Sequence, residues 1–369
     1  MDKIALLPAD ERIKIFRDAS AKLNIPIAMV EKDFWVCWVM SKIFADPWLS
    51  ANLLFKGGTS LSKAYNLIAR FSEDLDIILA QDVILAEGEV LLADRSKSQR
   101  KNFDEDIEER AAAYINTTLK NKITAVLGDT VQVLTNEEYH AGKSGVLGRM
   151  RLDAGTLDTE TPKESDSFDD KDLHVIYPKS STDEYLRRDI LLEIGIKSAR
   201  DPNEQRKILP YVAVAYPELE IPHAIVPTVK AHRTFWDKAT ILHHEHHRPE
   251  TKTDYATDAP VPSRTPARYS RHYYDLYQMS RSAVKSAAFI DLVLLEDVVY
   301  RKQKLFGRKW ARYDLAKPGT FRLMPNEYNN EILRRDYQEM KSMIFGEIPE
   351  WEVILAGLQE LENEINKLV

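Results

Sequence analysis

Apolar positions in the opening segment recur at helical spacing, and Ala9 to Phe44 reads as two helices broken near Ile25-Pro26. In the second, Ile27, Val30, Phe34 and Trp35 fall on one face. Leu53-Leu54-Phe55 has the length and character of a short buried strand, which Gly57-Gly58 turns into a helix predicted over Thr59 to Arg70. Leu61, Ala64, Tyr65 and Ile68 give that helix its apolar side. Asp74 to Leu79 reads as a second strand. Ser98 to Leu127 is largely helical, with Ala111, Tyr114, Ile115 and Leu119 pointing inward. Val131 to Lys197 reads as strands around an acidic, polar loop. The clearest strand is Asp189 to Ile196, apolar on both faces as a central strand is. A helix is predicted over Thr228 to His247, and the Pro/Thr/Asp-rich Arg248 to Pro266 is a long loop or hinge. From Arg268 the pattern is mainly helical and ends in Trp351 to Val369, with Ile354, Leu358, Leu361 and Ile365 in register. The expected architecture is α+β: a mixed sheet core flanked by helices over residues 1–250, then a mainly helical C-terminal domain over 251–369.

Composition adds boundaries to this picture. With 369 residues, 44% of them hydrophobic, there is ample material for a core, yet no apolar run reaches the length of a membrane span. No long apolar leader opens the chain, and the single Cys37 excludes an internal disulfide or a Cys-rich metal site, so a cytoplasmic protein is expected. The net charge of −7 argues against a generic polyanion binder, but its distribution is uneven. Asp153 to Asp172 holds eight acids against Lys163 and Lys171, whereas Arg301 to Arg322 holds eight bases against Asp314 alone. Local sign therefore matters more than the total.

Chemistry concentrates in Phe55-Lys-Gly-Gly-Thr-Ser-Leu-Ser-Lys63 and Phe71-Ser-Glu-Asp-Leu-Asp-Ile77. A strand, two glycines (Gly57, Gly58) and a hydroxyl-rich helix start (Thr59, Ser60) make a candidate anion site. Glycine lets the backbone approach a phosphate, and the N–H groups of a first helical turn point outward. Lys63 lies three residues beyond Ser60, on the same helix face, within reach of a phosphate oxygen. Asp74 and Asp76, at alternate positions of a strand, project from one face while Leu75 and Ile77 anchor the other. Two such carboxylates beside phosphates suit Mg²⁺. Either pattern alone reads as an ordinary turn or an acidic strand end; both together, in strand–helix–strand order, favour a site.

These motifs resemble the minimal nucleotidyltransferase superfamily and, more closely, the AbiEii/AbiGii-type nucleotidyltransferase toxins of bacterial toxin–antitoxin and phage-defence systems. Lys56 to Lys63 and Arg70 to Asp76 are similar to that family's first two motifs. Glu31-Lys-Asp-Phe-Trp-Val36 resembles its N-terminal signature, Arg233-Thr-Phe-Trp-Asp-Lys238 its third motif and Arg271-His-Tyr-Tyr-Asp-Leu276 its fourth. Tyr313 to Thr320 and Asp336 to Met340 are similar to its C-terminal blocks. The resemblance implies a nucleotidyltransferase-like sheet, an NTP co-substrate, Mg²⁺ on Asp74 and Asp76, and phosphate binding by Gly57, Gly58, Thr59, Ser60 and Lys63. It further implies that Lys238 grips phosphates and that Asp275 is essential. The expected reaction is NMP transfer to an RNA acceptor, the tRNA 3′ end, blocking translation under the control of a cognate antitoxin. Transfer to a protein or small-molecule hydroxyl, or non-catalytic NTP binding by a regulatory module, are the alternatives.

Several residues keep two readings. Lys238 on a helix could instead pair with Asp237 or Glu245, and Asp275 with Arg271 one turn earlier. Glu193, inside an apolar strand, is a candidate third metal carboxylate, or it faces solvent or pairs with Lys197. His243-His-Glu-His-His247 lacks zinc-ligand spacing, because consecutive histidines cannot converge from one helix face, and is expected to be a polar, solvated helix end. Cys37 is expected in the core. Lys302, Lys304, Arg308, Lys309 and Arg312 interleave with Phe306, Trp310, Tyr313 and Phe321. That pattern suits an RNA surface of cations and stacking rings, or a cationic helix face over a core-directed aromatic stripe.

Overall fold

The computed structural model describes residues 1–72, 74–141, 170–181, 189–253, 260–262 and 265–368. Most of the acidic run expected around a loop in the 131–197 region lies outside these residues, as does part of the 248–266 segment. The chain forms two compact units, Met1–Ala64 with Ser72–Thr228, and Tyr65–Phe71 with Val229–Val369.

The first unit is a mixed sheet with helices. Helices α1 (Ala9–Leu23) and α2 (Ile27–Ile43) are separated where Asn24 takes a left-handed conformation and Pro26 precedes the new helix. Helix α2 is buried almost throughout, including Glu31, Lys32 and Asp33. Among the described residues, seven strands form one sheet in the order β3-β4-β5-β2-β1-β7-β6. They are β1 (Leu53–Phe55), β2 (Asp74–Leu79), β3 (Gln132–Thr135), β4 (Asp172–Ile176), β5 (Asp189–Gly195), β6 (Asn203–Ile208) and β7 (Ala224–Val229). β2 runs parallel to β5 and antiparallel to β1, while β1 runs parallel to β7. β1, β2 and β5 therefore sit in mid-sheet, as the apolar stretches Leu53–Phe55, Ile77–Leu79 and Ile190–Leu192 suit. Helix α3 (Gly57–Lys63) links β1 to β2. Helix α4 (Lys97–Tyr114) begins with a Ser96–Gln99 capping box, and a π-turn joins it to α5 (Lys120–Leu127).

Helix α3 stops at Lys63, not at Arg70 as its apolar spacing suggested. Asn66 adopts φ +51°, a left-handed conformation that Asn tolerates and that no helix can continue through. Residues 65–71 instead belong to the second unit. Tyr65 donates to the Val229 carbonyl at 3.0 Å. Phe71 N–H donates to Met343 O at 2.7 Å, and Phe345 N–H to Ala69 O at 2.6 Å.

The second unit is mainly helical: α6 (Ala231–His246), α7 (Ser270–Ser280), α8 (Ala283–Ile290), α9 (Leu292–Phe306), α10 (Glu327–Met340) and α11 (Trp351–Ile365). α6 packs against α7, α8 and α9. α6 and those partners all lie in the compact unit made of Tyr65–Phe71 and Val229–Val369. Gly357 lets α11 approach α7, since a Cβ there would lie 2.6 Å from the Tyr277 ring. Trp351 packs against Tyr273 and Tyr337 with ring centroids 5.5 Å apart in each case. Where a plain loop was expected, β8 (Thr251–Thr253) and β9 (Pro260–Pro262) pair antiparallel. Among the described residues no helix is long and apolar enough to cross a membrane.

Candidate active site

In the first unit the glycine motif and the acidic strand meet directly. Asp74 and Asp76 are half-buried at alternate positions of β2, while Leu75 and Ile77 are buried on the opposite face. Gly57 has φ +77°, and a Cβ on it would lie 1.8 Å from Asp76 Oδ2. No other residue fits there: the backbone of the first helical residue lies against a carboxylate. Lys56 N–H donates to the Asp76 carbonyl at 3.0 Å, and Thr59 Oγ1 donates to the Asp74 carbonyl at 2.5 Å. Ser60 is fully buried and donates to the Gly57 carbonyl at 2.8 Å. Thr59 and Ser60 thus brace the turn; the backbone of Gly57 and Gly58 is what the motif presents.

Parallel pairing places Glu193 on β5 level with Asp76, and antiparallel pairing places Asp172 on β4 level with Glu193. The sheet thereby carries Asp74, Asp76, Glu193 and Asp172 on one face. Asp172 had no signal of its own in the sequence. Lys197, the alternative partner considered for Glu193, pairs with Glu108 at 2.6 Å. Among the described residues no three acid, histidine or cysteine side chains gather closely enough to hold an ion. The pair Asp74 and Asp76 beside half-buried glycine backbone does suit Mg²⁺, which takes one or two protein carboxylates and completes its shell with substrate oxygens and water.

Lys63 is placed differently from its expected phosphate role. It is buried in an ion pair with Asp33 of α2, and the Tyr211 ring lies 3.6 Å from its Nζ. Burial opposes the charged ammonium, but Asp33 outweighs it and raises the Lys63 pKa. The neighbouring Glu31 accepts the Ser180 and Ser181 N–H groups at 2.5 and 3.0 Å.

The second unit assembles the later motifs. Asp275 on α7 is fully buried and receives Arg70 Nε at 2.7 Å, Arg70 Nη2 at 2.8 Å and Lys238 Nζ at 2.7 Å. Burial would raise this carboxyl, yet the two cations hold it down to about 2. Burial lowers the Lys238 pKa, partly offset by Asp275. Lys238 also lies 3.3 Å from His272 Nδ1. Burial, with the positive Lys238 beside it, drives the His272 pKa well below its ordinary value, so a neutral ring accepts from the lysine. Asp275 therefore pairs with Arg70 and Lys238, not with Arg271. Arg70 and His272 were not singled out from the sequence, because the Arg70–Asp275 contact spans 205 positions.

The histidine run is not a solvated helix end: His243 and Glu245 are buried, and His244, His246 and His247 are half-buried. His243 has no exposed surface; its Nδ1 accepts from Arg322 N–H at 3.0 Å, and its Nε2 donates to the Arg312 carbonyl at 2.9 Å. Burial lowers it to about 4, so it stays a neutral brace. His246 bonds the Met324 carbonyl at 2.8 Å, and Glu245 takes Arg248 and His244. Cys37 is buried in α2, which raises its thiol.

The basic–aromatic segment divides. Tyr313 and Phe321 go to the core, whereas Phe306 is half exposed. Trp310 lies between Arg248 and Arg308, whose guanidinium carbons are 4.8 and 5.9 Å from its ring centroid. Lys302 sits over Phe306 at 5.7 Å and Lys304 over Tyr300 at 5.6 Å. Arg308, Lys309 and Arg312 are exposed, with Arg312 paired to Asp314 at 3.0 Å.

Comparison with known proteins identifies the family. The family described as "Nucleotidyl transferase AbiEii toxin, Type IV TA system" matches residues 38–357. Among solved structures, the nucleotidyltransferase toxin MenT4 (Rv2826c) from Mycobacterium tuberculosis H37Rv is similar, at 14% identity and a TM-score of 0.44. The alignment covers 98% of this chain and 91% of that one. Among curated proteins, none matches the chain.

Proposed function

The chain belongs to the AbiEii family of nucleotidyltransferase toxins, and from that premise we propose that it transfers NMP from an NTP to the 3′ end of tRNA, releasing pyrophosphate and blocking translation. The observation that carries the assignment is the contact between Gly57 and the Asp76 carboxylate. It sets bare backbone N–H groups beside two carboxylates on one strand face.

Asp74 and Asp76 would hold Mg²⁺, with Glu193 and Asp172 adding negative charge on the same face. A divalent ion there supplies charge neutralisation for the triphosphate and lowers the pKa of the attacking hydroxyl. The chain's own contribution is placement. Gly57 and Gly58 admit phosphate oxygens to within hydrogen-bonding distance of the backbone. Thr59 and Ser60 hold the turn in shape. In the second unit, Lys238 offers a phosphate contact whose charge and direction Asp275, Arg70 and His272 fix.

RNA is favoured as acceptor by the exposed cations Arg308 and Lys309 beside Trp310, and by Lys302 and Lys304 over Phe306 and Tyr300. Phosphates and stacked bases are what such pairs bind. The physiological setting that follows is a toxin held in check by a cognate antitoxin and used in phage defence.

The test is incubation of the purified protein with total tRNA, Mg²⁺ and each α-³²P-labelled NTP in turn, beside Asp76→Asn. Label on tRNA with the unaltered protein alone is the expected result, lost on chelation with EDTA. Label on protein or on a small molecule would replace RNA as the acceptor class. NTP binding without transfer in any arm would overturn the catalytic assignment.

A further inference from the structure

Asp33 lies in the charged run of α2 and is 1% exposed. Its oxygens are divided between two tasks: Oδ1 takes the Lys63 ammonium, and Oδ2 accepts the Tyr211 backbone N–H at 2.6 Å. The Tyr211 ring covers Lys63. One residue beyond Lys63, the Ala64 carbonyl accepts Arg206 Nε and Nη2 from β6 at 3.0 and 2.9 Å. The C-terminal end of α3 is therefore fastened to α2, to the segment at Tyr211 and to the edge strand β6. Its other end is Gly57, against Asp76. A helix of seven residues closes too few intrahelical hydrogen bonds to hold itself in place. Its orientation must come from such end contacts.

We infer that Asp33 is a positioning residue for nucleotide transfer: through its ion pair with Lys63 it sets the angle of α3 and so holds the Gly57–Gly58 backbone against Asp76. Lys63 is committed to that pair and is not a ligand of the nucleotide phosphates. The inference rests on the nucleotidyltransferase reading above. Its physical basis is that Lys63 is the cation paired with the buried Asp33, so drawing the ammonium to a ligand would strand that carboxylate, unlike Asp275, which has Arg70 as well as Lys238. Displacement of reacting groups by about 1 Å is costly in rate even where binding survives.

The test uses the full chain and three variants: Asp33→Asn, Lys63→Met and the two combined. Removing one partner strands a buried charge, so a single variant that fails to fold is replaced by the neutral double variant. Three quantities are read: amide exchange of the 57–63 segment, NTP affinity, and kcat per molecule of bound nucleotide. Positioning predicts faster exchange over 57–63 with β2 unchanged, and kcat down about tenfold to a hundredfold. It also predicts an NTP KM changed by less than about threefold, and a double variant no worse than the poorer single. A phosphate-ligand role for Lys63 would show the opposite. Lys63→Met would raise the NTP KM about tenfold or more with kcat retained, and Asp33→Asn would leave both constants alone. Unchanged exchange over 57–63 in all three variants would also overturn the inference. If the unaltered protein binds no NTP, the nucleotidyltransferase reading falls, and the exchange data alone decide whether Asp33 positions α3.

Discussion

Two carboxylate sites in this chain treat charge in opposite ways. In the first unit, Asp74 and Asp76 stand half-buried on one sheet face, and Asp76 has the backbone of Gly57 as its neighbour. In the second unit, Asp275 is fully buried and both its oxygens are occupied by Arg70 and Lys238. A carboxylate already saturated with cations organises its surroundings and offers no coordination site. The half-buried pair beside the Gly57 backbone is where the proposed function puts a ligand. In the proposed function the same amino acid would serve assembly in one place and chemistry in the other, and burial with counter-charge is what separates the two. Lys63 and Asp33 repeat the saturated pattern inside the first unit, where a ligand role had been expected for the lysine.

The largest effect expected on this contrast is on activity. Asp76→Asn should lower transfer by about 10²–10³-fold or more while unfolding at nearly the same denaturant concentration, because it removes charge from a face and no buried partner. Labelled-NTP incorporation and urea unfolding on the same preparation check both halves. Asp275→Ala should do the reverse in emphasis. It strands Arg70 and Lys238 without a counter-charge, a change that costs about 3–5 kcal/mol of stability. Equal destabilisation by the two variants would erase the distinction between the sites.

The sequence displayed one of these sites far better than the other. Gly57-Gly58 and Asp74-x-Asp76 lie within one strand–helix–strand passage, so local spacing alone placed them together, and the helical and strand patterns around them carried the α+β architecture. Where α3 ends was not readable: Tyr65 and Ile68 continue its apolar spacing, but Asn66 turns left-handed and residues 65–71 join the second unit. The Arg70 partner of Asp275 was hidden for a different reason. Arg271 sits at the ideal helical spacing, whereas the residue actually paired, Arg70, is brought in by tertiary structure. The histidine run read as polar and exposed, yet His243 forms two backbone hydrogen bonds in the interior, which only the later chain at Arg312 and Arg322 can supply. Hydropathy counts a histidine as polar; it does not see a partner arriving from about a fifth of the chain away.

Acid sharpens the comparison next. The Asp275 carboxyl is held at about 2, below its ordinary 3.8. A lowered folded-state pKa contributes stability that is fully present above the unfolded value and disappears as the pH falls through the folded one. The stabilisation is therefore complete above about pH 5 and is lost between there and pH 2, amounting to about 2 kcal/mol. Urea midpoints measured from pH 6 down to pH 2 should fall more steeply for the unaltered protein than for Asp275→Asn. Parallel curves would mean that Arg70 and Lys238 do not hold this carboxyl ionised.

The smallest effect tests whether the second unit has an outward chemistry besides its buried cluster. Trp310 is flanked by Arg248 and Arg308, and the exposed Lys309 adjoins it in sequence. On an RNA surface the ring contributes stacking and the cations contribute phosphate contacts, and the two respond differently to salt. Trp310→Ala should weaken tRNA binding by about 1 kcal/mol, roughly fivefold, at every ionic strength. Arg308→Ala or Lys309→Ala should weaken it more at low salt and reduce the slope of log K against log[salt] by about 1 each. Filter binding across a salt series separates the terms, with NTP affinity as the internal control because none of these residues is placed at the nucleotide. A tryptophan that only packs, on the other hand, would leave tRNA affinity unchanged and lower thermal stability instead.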